Sequence, residues 1–184
     1  MRKIETARIP RRRLTALARD RRGATIIEFA LVAAPFIALI LATIQTSIVF
    51  FAQQTLETTA EKTARQLVTD QAQQSGMSQQ DFQATACSNL PAFMQCANLM
   101  VDVQNADSFD DIDTAAPTLT YDSKGNVTNN WQFNPGPPGS IVVMRTMYLF
   151  PVISGPLGLA FANSQGGKRL LVATSVFKSE TYTQ

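Results

Sequence analysis

Histidine is absent from this chain of 184 residues, and charged residues make up only 16% of it. Without histidine the chain cannot carry Ser-His-Asp or Cys-His catalysis, HExxH metalloprotease chemistry or an imidazole metal site. It also has no GxGxxG or GxxxxGK sequence, so nothing in it indicates nucleotide binding. We therefore expect a protein that is not an enzyme and that uses no cofactor and no metal.

Charge is missing altogether from residues 29–56, a run of 28 residues whose first two thirds are almost wholly apolar. A bilayer core needs about 20 such residues in a helix. A helix of this length in a soluble protein would show a polar face, which this run does not. The run therefore predicts a transmembrane helix, and the lipid bilayer is the first expected partner.

The charges that are present divide the chain into a basic head and an acidic body. Residues 1–22 contain nine Lys or Arg and two acids, whereas residues 23–184 contain seven basic and twelve acidic residues. The positive-inside rule places the head in the cytoplasm and the body outside. We expect a single-pass protein of a bacterial inner membrane with a periplasmic C-terminal domain. A basic run that precedes a membrane helix does not indicate a nucleic-acid partner.

The junction between the head and the apolar run has the order expected of a prepilin leader. An ordinary signal peptide has a shorter apolar stretch, followed by a small-x-small cleavage site. Here a cut after Gly23, before the helix, would make Ala24 the first residue and Glu28 the fifth. Small residues at this junction let a protease approach the backbone closely.

Glu28 is the only ionisable residue between Arg22 and Glu57. An ionised carboxylate in an apolar stretch is costly unless it is paired. The free α-amino group of a neighbouring subunit in a helix bundle is a suitable partner, which predicts a role for Glu28 in assembly. The alternative is that Glu28 only lies at the level of the lipid headgroups.

These features resemble the TadE-like family of the tight-adherence pilus system. The resemblance covers about residues 22–65, and it is carried by Arg22-Gly23, Glu28-Phe29-Ala30-Leu31, Pro35, the apolar run to Phe51, Ala60, Ala64 and Arg65. The ending 176–182 is similar to the family's aromatic-basic-x-Glu-x-aromatic ending, with Thr181 where a proline commonly follows the glutamate.

The resemblance implies a pseudopilin or minor pilin of a type IV-like adhesive pilus. It implies processing by a prepilin peptidase of the aspartic type. It also implies that other pilin or pseudopilin subunits and an inner-membrane pilus platform are the protein's partners. On this interpretation the chain helps to assemble or prime the pilus from the inner membrane, and it is located there or in the pilus itself. The alternative is an uncleaved, membrane-anchored periplasmic binding protein.

The pattern predicts an α+β protein in which a long N-terminal transmembrane helix is followed by a small antiparallel sheet domain. We assign residues 1–23 to the leader, 24–75 to the TadE-like helix and 76–184 to the periplasmic domain. Pro35 is expected to bend the helix, because proline removes one backbone hydrogen bond. Beyond the membrane an apolar stripe faces either another subunit's helix or the protein's own sheet: Ala52, Leu56, Ala60, Ala64 and Leu67.

Further elements follow from local patterns in the periplasmic domain. Ser78 with Asp81 three residues later predicts the start of a second helix, and Pro91 should interrupt it. Apolar alternation predicts a strand from Leu99. Further strands are expected over 141–150 and 169–177, and a hairpin over 118–133. The segment 151–167 between the last two strands is a long loop, either an interaction surface or simply flexible.

Cys87 and Cys96 are expected to form a disulfide bond on the oxidising side of the membrane. In an unbroken helix nine residues span about 13.5 Å. The Cα atoms of a disulfide lie within about 7 Å of each other. The bond therefore requires the chain to fold back between the two cysteines, near Pro91.

Two further groups of residues are weak candidates for ligand sites. An acidic loop lacks the D-x-D-x-D-G calcium pattern, so a solvated loop is expected rather than a cation site. The loop contains Asp107, Asp110, Asp111 and Asp113. Trp131 and Phe133 are expected in the core rather than on a ligand platform.

Overall fold

The structure, a computed structural model, describes residues 23–69, 76–112, 115–153 and 161–180. The basic head 1–22, the predicted helix end 70–75, Asp113 and the last residues of the ending, 181–184, lie outside the described residues. The chain divides into two compact units, Met1–Leu41 and Ala42–Gln184.

The first element is a single helix of 45 residues, α1 (Ala24–Val68). It begins directly after Gly23 and continues through Pro35, which lies inside it. The bend expected at Pro35 stays a prediction. Residues 42–68 of α1 belong to the second unit, where they form part of its core.

Three strands follow in the order β1 (Leu99–Ala106), β2 (Ile141–Pro151) and β3 (Lys168–Lys178). Both pairs are antiparallel, and β2 lies in the middle. β2 and β3 are rich in β-branched and other apolar residues, which pack well on a pleated surface. The long apolar helix and this small antiparallel sheet confirm the predicted α+β fold.

One face of the sheet packs against α1. The stripe predicted from the sequence is buried there, and Ala52 and Leu56 expose none of their surface. These residues form one core with side chains of all three strands, among them Val101, Met144 and Leu171. The structure therefore places the stripe against the protein's own sheet rather than against another subunit.

The other face of the sheet is partly covered by the segment 117–133. Met100, Met147 and Leu149 form a second core there, with Leu119 and Trp131 packed against it. Asp102 is also buried on this face, where its carboxylate accepts hydrogen bonds from the Gln132 amide (2.8 Å) and the Gln104 side chain (2.8 Å). The β1 strand is thus buried on both faces at its centre, and Trp131 contributes to a core, as expected.

The hairpin predicted over 118–133 is a turn with little strand. The structure has only an isolated bridge between Tyr121 and Val127. Asp122 closes the turn, because its carboxylate accepts from the amides of Lys124 and Asn126 (2.8 Å each). The side chain and backbone of Asn126 hold the pKa of Asp122 below its ordinary value. The two sides of the turn do not continue as paired strands beyond Thr120 and Thr128. The amide of Thr120 donates to the Asn129 side chain instead of a backbone carbonyl.

The second helix, α2 (Gln79–Ser88), has the predicted capping box. The amide of Asp81 donates to Ser78 Oγ (3.2 Å), while the Asp81 carboxylate accepts from the Ser78 amide (3.2 Å). The hydrogen bonds from the Ser78 side chain and amide lower the pKa of Asp81. The last helical residue, Ser88, is three residues before Pro91, and Asn89 is the cap residue that follows it.

Candidate assembly surface

The predicted cleavage junction lies at the very start of α1. Gly23 and Ala24 are exposed, and Ala24 is the first α-helical residue. A methyl group added at Gly23 would meet no other atom within 4 Å. The small side chain at this position is therefore not required by packing in the part of the chain that the structure describes.

Glu28 lies one turn further along the same helix and is exposed. Four residues correspond to about 6 Å along a helix axis, so its Cα lies about that far along from Ala24. Within the described residues its carboxylate has neither a hydrogen bond nor an ion pair. The arrangement leaves one acidic group, without a partner of its own, on an otherwise uncharged length of helix.

The helix around Glu28 and beyond it presents apolar side chains outward. Phe29 exposes 74% of its surface and Leu31 exposes 70%. By length and composition α1 can cross a membrane, and only 6% of its most apolar window is buried. Other exposed side chains along it are Ile26, Ile27, Val32, Phe36, Ile37, Ile40 and Leu41.

The buried part of α1 is held to the rest of its unit by hydroxyl groups that the sequence analysis did not single out. Thr59 and Thr63 are buried, and each bonds to the carbonyl one turn before it. Asn89, at the end of α2, donates to Thr63 Oγ1 (3.2 Å) and accepts from Thr59 Oγ1 (3.3 Å). Thr59 and Thr63 are four residues apart among the alanines of the stripe. This spacing is the sequence signal that could have indicated hydrogen bonds from α1 to another element.

The structure contains the predicted disulfide between Cys87 and Cys96. The two Cα atoms are 5.3 Å apart, and the chain reverses between them, where the Met94 amide donates to the Pro91 carbonyl (2.9 Å). The amide of Gln95 donates to the hydroxyl of Tyr148 (2.7 Å), which ties the closed loop to the middle strand.

The acidic loop is a short 3-10 turn, Phe109–Asp111, capped by the side chain of Ser108. The described residues contain no group of three or more His, Cys, Asp or Glu placed to hold a metal ion. Asp107, Asp110 and Asp111 are exposed.

The similarity of this chain to known proteins lies in α1. The family described as TadE-like protein matches residues 23–65, and the resemblance found in the sequence covers about residues 22–65. No curated protein and no solved structure matches the chain. The match contains Glu28, Pro35 and most of the buried stripe, and it ends before α2. Residues 23–65 are therefore a TadE-like segment, and that segment implies a pilin-like protein associated with the Tad pilus.

Proposed function

We propose that this protein is a pseudopilin or minor pilin that helps to assemble or prime an adhesive pilus at the inner membrane. One observation carries the proposal: α1 is divided into two parts with opposite surroundings. Its later part is buried in the protein's own core, whereas its earlier part exposes apolar side chains and a single carboxylate. The role is structural rather than enzymatic, in keeping with a chain that has no histidine.

The exposed part of α1 has two suitable environments. Before assembly, lipid tails cover its apolar side chains, because the helix is long enough to cross a bilayer. During assembly, helices of other pilin or pseudopilin subunits replace the lipid. The buried part keeps the sheet domain attached throughout, so the earlier part can exchange lipid for protein without unfolding the domain.

Glu28 supplies the alignment between subunits in this proposal. A prepilin peptidase cuts between Gly23 and Ala24, and the new α-amino group is positively charged near neutral pH. An axial offset of about one turn brings the amine of one subunit beside the Glu28 carboxylate of another. Apolar surroundings strengthen the attraction and also raise the cost of desolvation. The pair therefore sets the register more than it adds stability.

Gly23→Leu tests the cleavage step. The variant should accumulate as a precursor that retains the 23-residue leader, because the larger side chain blocks access of the peptidase to the backbone. Gly23→Ala is the matched control, since it keeps a small side chain and should still be processed. A Cβ atom added at this position meets nothing within 4 Å, and Gly23 is exposed, so we expect both variants to fold.

The measurement is the mobility and N-terminal sequence of the protein extracted from membranes, in cells with and without the peptidase. A mature chain beginning at Ala24 supports the proposal. If Gly23→Leu and the unchanged protein have the same N-terminus, the prepilin interpretation is wrong, and the uncleaved periplasmic binding protein becomes the better one.

A further inference from the structure

The second unit carries two cations where β2 ends and β3 begins. Lys168 pairs with Pro151, and Arg169 pairs with Phe150. Lys168 donates to the side chain of Asn98, just before β1 (3.2 Å), and Arg169 donates to the carbonyl of Phe161 (3.3 Å). Neither cation forms an ion pair within the part of the chain that the structure describes. Both charges are thus held in place by neutral partners only.

Acidic residues are scarce around these cations. In the sequence, the segments 89–101 and 146–179 contain no acid at all. The nearest acid on α1, Glu57, accepts hydrogen bonds from Gln53 and Gln54 (2.9 and 2.8 Å). Asp122, on the segment that covers the other face, is bonded within its own turn. The acids of the short 3-10 turn follow the opposite end of β1.

The direction of α1 shows which end of the sheet this is. Gln53 donates to the carbonyl of Val172 (3.0 Å), and the carbonyl of Val68 accepts from the amide of Glu180 (2.9 Å). Fifteen helical residues rise about 22 Å, and eight strand residues span about 26 Å, so α1 and β3 run side by side in the same direction. Within the second unit, the start of β3 therefore lies toward the part of α1 that precedes Gln53.

Contacts at this end agree with that direction. Arg169 and Leu170 line one cavity together with Thr46 and Phe50 of α1. A bilayer core of about 20 residues that began at residue 29 would end near residue 48, close to the α1 residues that line this cavity. Arg169, with Lys168 next to it in β3, is thus beside the part of α1 where such a core would end.

Exposed apolar side chains accompany the cations. The rings of Phe51 and Phe93 stack with centroids 5.6 Å apart, and they still expose 62% and 49% of their surface. Ile153, two residues after β2, exposes 76% of its surface. Cations with apolar neighbours and without acids are the combination that binds anionic membrane surfaces, because the charge attracts phosphate and the apolar groups enter the interface.

We propose that this end of the sheet, with Lys168, Arg169, Phe93 and Ile153, docks on the phosphate headgroups of the bilayer that α1 crosses. Docking holds the sheet domain upright against the membrane surface, and it must be released before the subunit can leave the bilayer. The docking proposal depends on α1 crossing the membrane and does not depend on cleavage at Gly23. Docking and the proposed pseudopilin function can therefore fail separately.

The test uses the full chain in lipid nanodiscs, with a single tryptophan as a probe of depth. The chain has one tryptophan, so Trp131→Phe gives a background without any. Ile153→Trp then places the probe at the proposed surface. Phe109→Trp places it in the exposed 3-10 turn after β1, as a matched control. Quenching by bromine-labelled phosphatidylcholine reports contact with lipid.

We expect quenching of the probe at position 153 and not at position 109, and stronger quenching when the disc contains phosphatidylglycerol. The double variant Lys168→Gln, Arg169→Gln should lower the ratio of docked to undocked domain by about 30-fold, since each cation near an anionic surface contributes about fivefold. Lys62→Gln with Lys178→Gln removes the same charge from exposed positions further along α1 and β3, and it should leave the quenching unchanged.

Exchanging the two cations, Lys168→Arg with Arg169→Lys, keeps the charge and should keep the quenching, which separates loss of charge from loss of folding. Equal quenching at the two probe positions would overturn the proposal. Quenching that the Gln variant leaves unchanged would also overturn it. If that variant instead loses a co-purified protein while quenching is kept, the surface binds a protein partner and the lipid proposal is wrong.

Discussion

Glu28 lies exposed on α1, one turn after the residue that cleavage would make the N-terminus. If it pairs with the α-amine of a neighbour, removing the carboxylate leaves that amine unpaired in an apolar bundle, at a cost of a few kcal/mol. We predict that Glu28→Leu is inserted and cleaved but fails to assemble with partner subunits, and that Glu28→Asp is impaired less. Co-purification of partners from membranes, scored beside pilus formation, measures this.

The matched control for Glu28 is Glu61→Leu. Glu61 is exposed on the same helix, beyond the uncharged run. It should tolerate the same substitution, because it lies outside the apolar length. Normal recovery of partners and pili with Glu28→Leu would show that Glu28 is incidental.

Thr146 is a second residue with a specific prediction. It lies on the helix-facing side of β2 between Val101 and Ala173, is fully buried, and its hydroxyl has no hydrogen-bond partner in the described residues. A buried hydroxyl without a partner costs about 1–3 kcal/mol. Thr146→Val removes the hydroxyl at nearly constant shape, so we expect it to raise the free energy of unfolding by about 1 kcal/mol.

Thermal unfolding of the detergent-solubilised protein checks this expectation. Thr174→Val, an exposed position on the neighbouring strand, is the control and should change the stability by less than about 0.5 kcal/mol. A loss of stability with Thr146→Val would mean that the hydroxyl has a partner after all.

Among the elements, the short loop closed by Cys87 and Cys96 connects α2 to β1. Asn89 in this loop bonds to α1, and Gln95 bonds to Tyr148 of β2, so the loop joins the helix to the sheet. Closing a loop of this size stabilises the fold by roughly 2–3 kcal/mol on the chain-entropy model. We predict a loss of about that size when Cys87 and Cys96 are both replaced by serine.

Thiol titration tests the bond directly. Protein purified without reductant should show no free thiol, because the chain has only these two cysteines. Two reactive thiols per chain would refute the bond in the cell. A bond present without any effect of the double serine variant on unfolding would refute the stabilising role alone.

At the scale of the whole molecule, charge predicts one topology. The net-positive head and the net-negative body follow the positive-inside rule, with α1 between them. A reporter that is active only outside the cytoplasm should therefore be active when fused after Gln184. The same reporter fused to residues 1–22 alone should be inactive. Activity of only a cytoplasmic reporter at the C-terminus would show the reverse orientation.

Much of this architecture follows from local patterns. The uncharged run predicts the long helix, because a bilayer accepts an uninterrupted apolar helix and little else. The Ser78–Asp81 box predicts the start of α2, because side chains must satisfy the first amides of a helix. The β-branched runs predict β2 and β3 to within a residue at each end. The pattern from Arg22 to Arg65 predicts the family match, which covers residues 23–65.

Tertiary structure decided the rest. Periodicity showed that Ala52 and Leu56 form a stripe, but a stripe buries equally well against a sheet or another helix, and only the folded unit shows the sheet. The sequence pattern overestimates the strand pairing of the hairpin over 118–133. Polar side chains there bond to backbone groups, which leaves few backbone hydrogen bonds between the two strands. The charge contrast between the two ends of the sheet depends on the strand register, which brings Lys168 beside Asn98 across 70 residues. Such contacts depend on distance in space, which local sequence patterns do not encode.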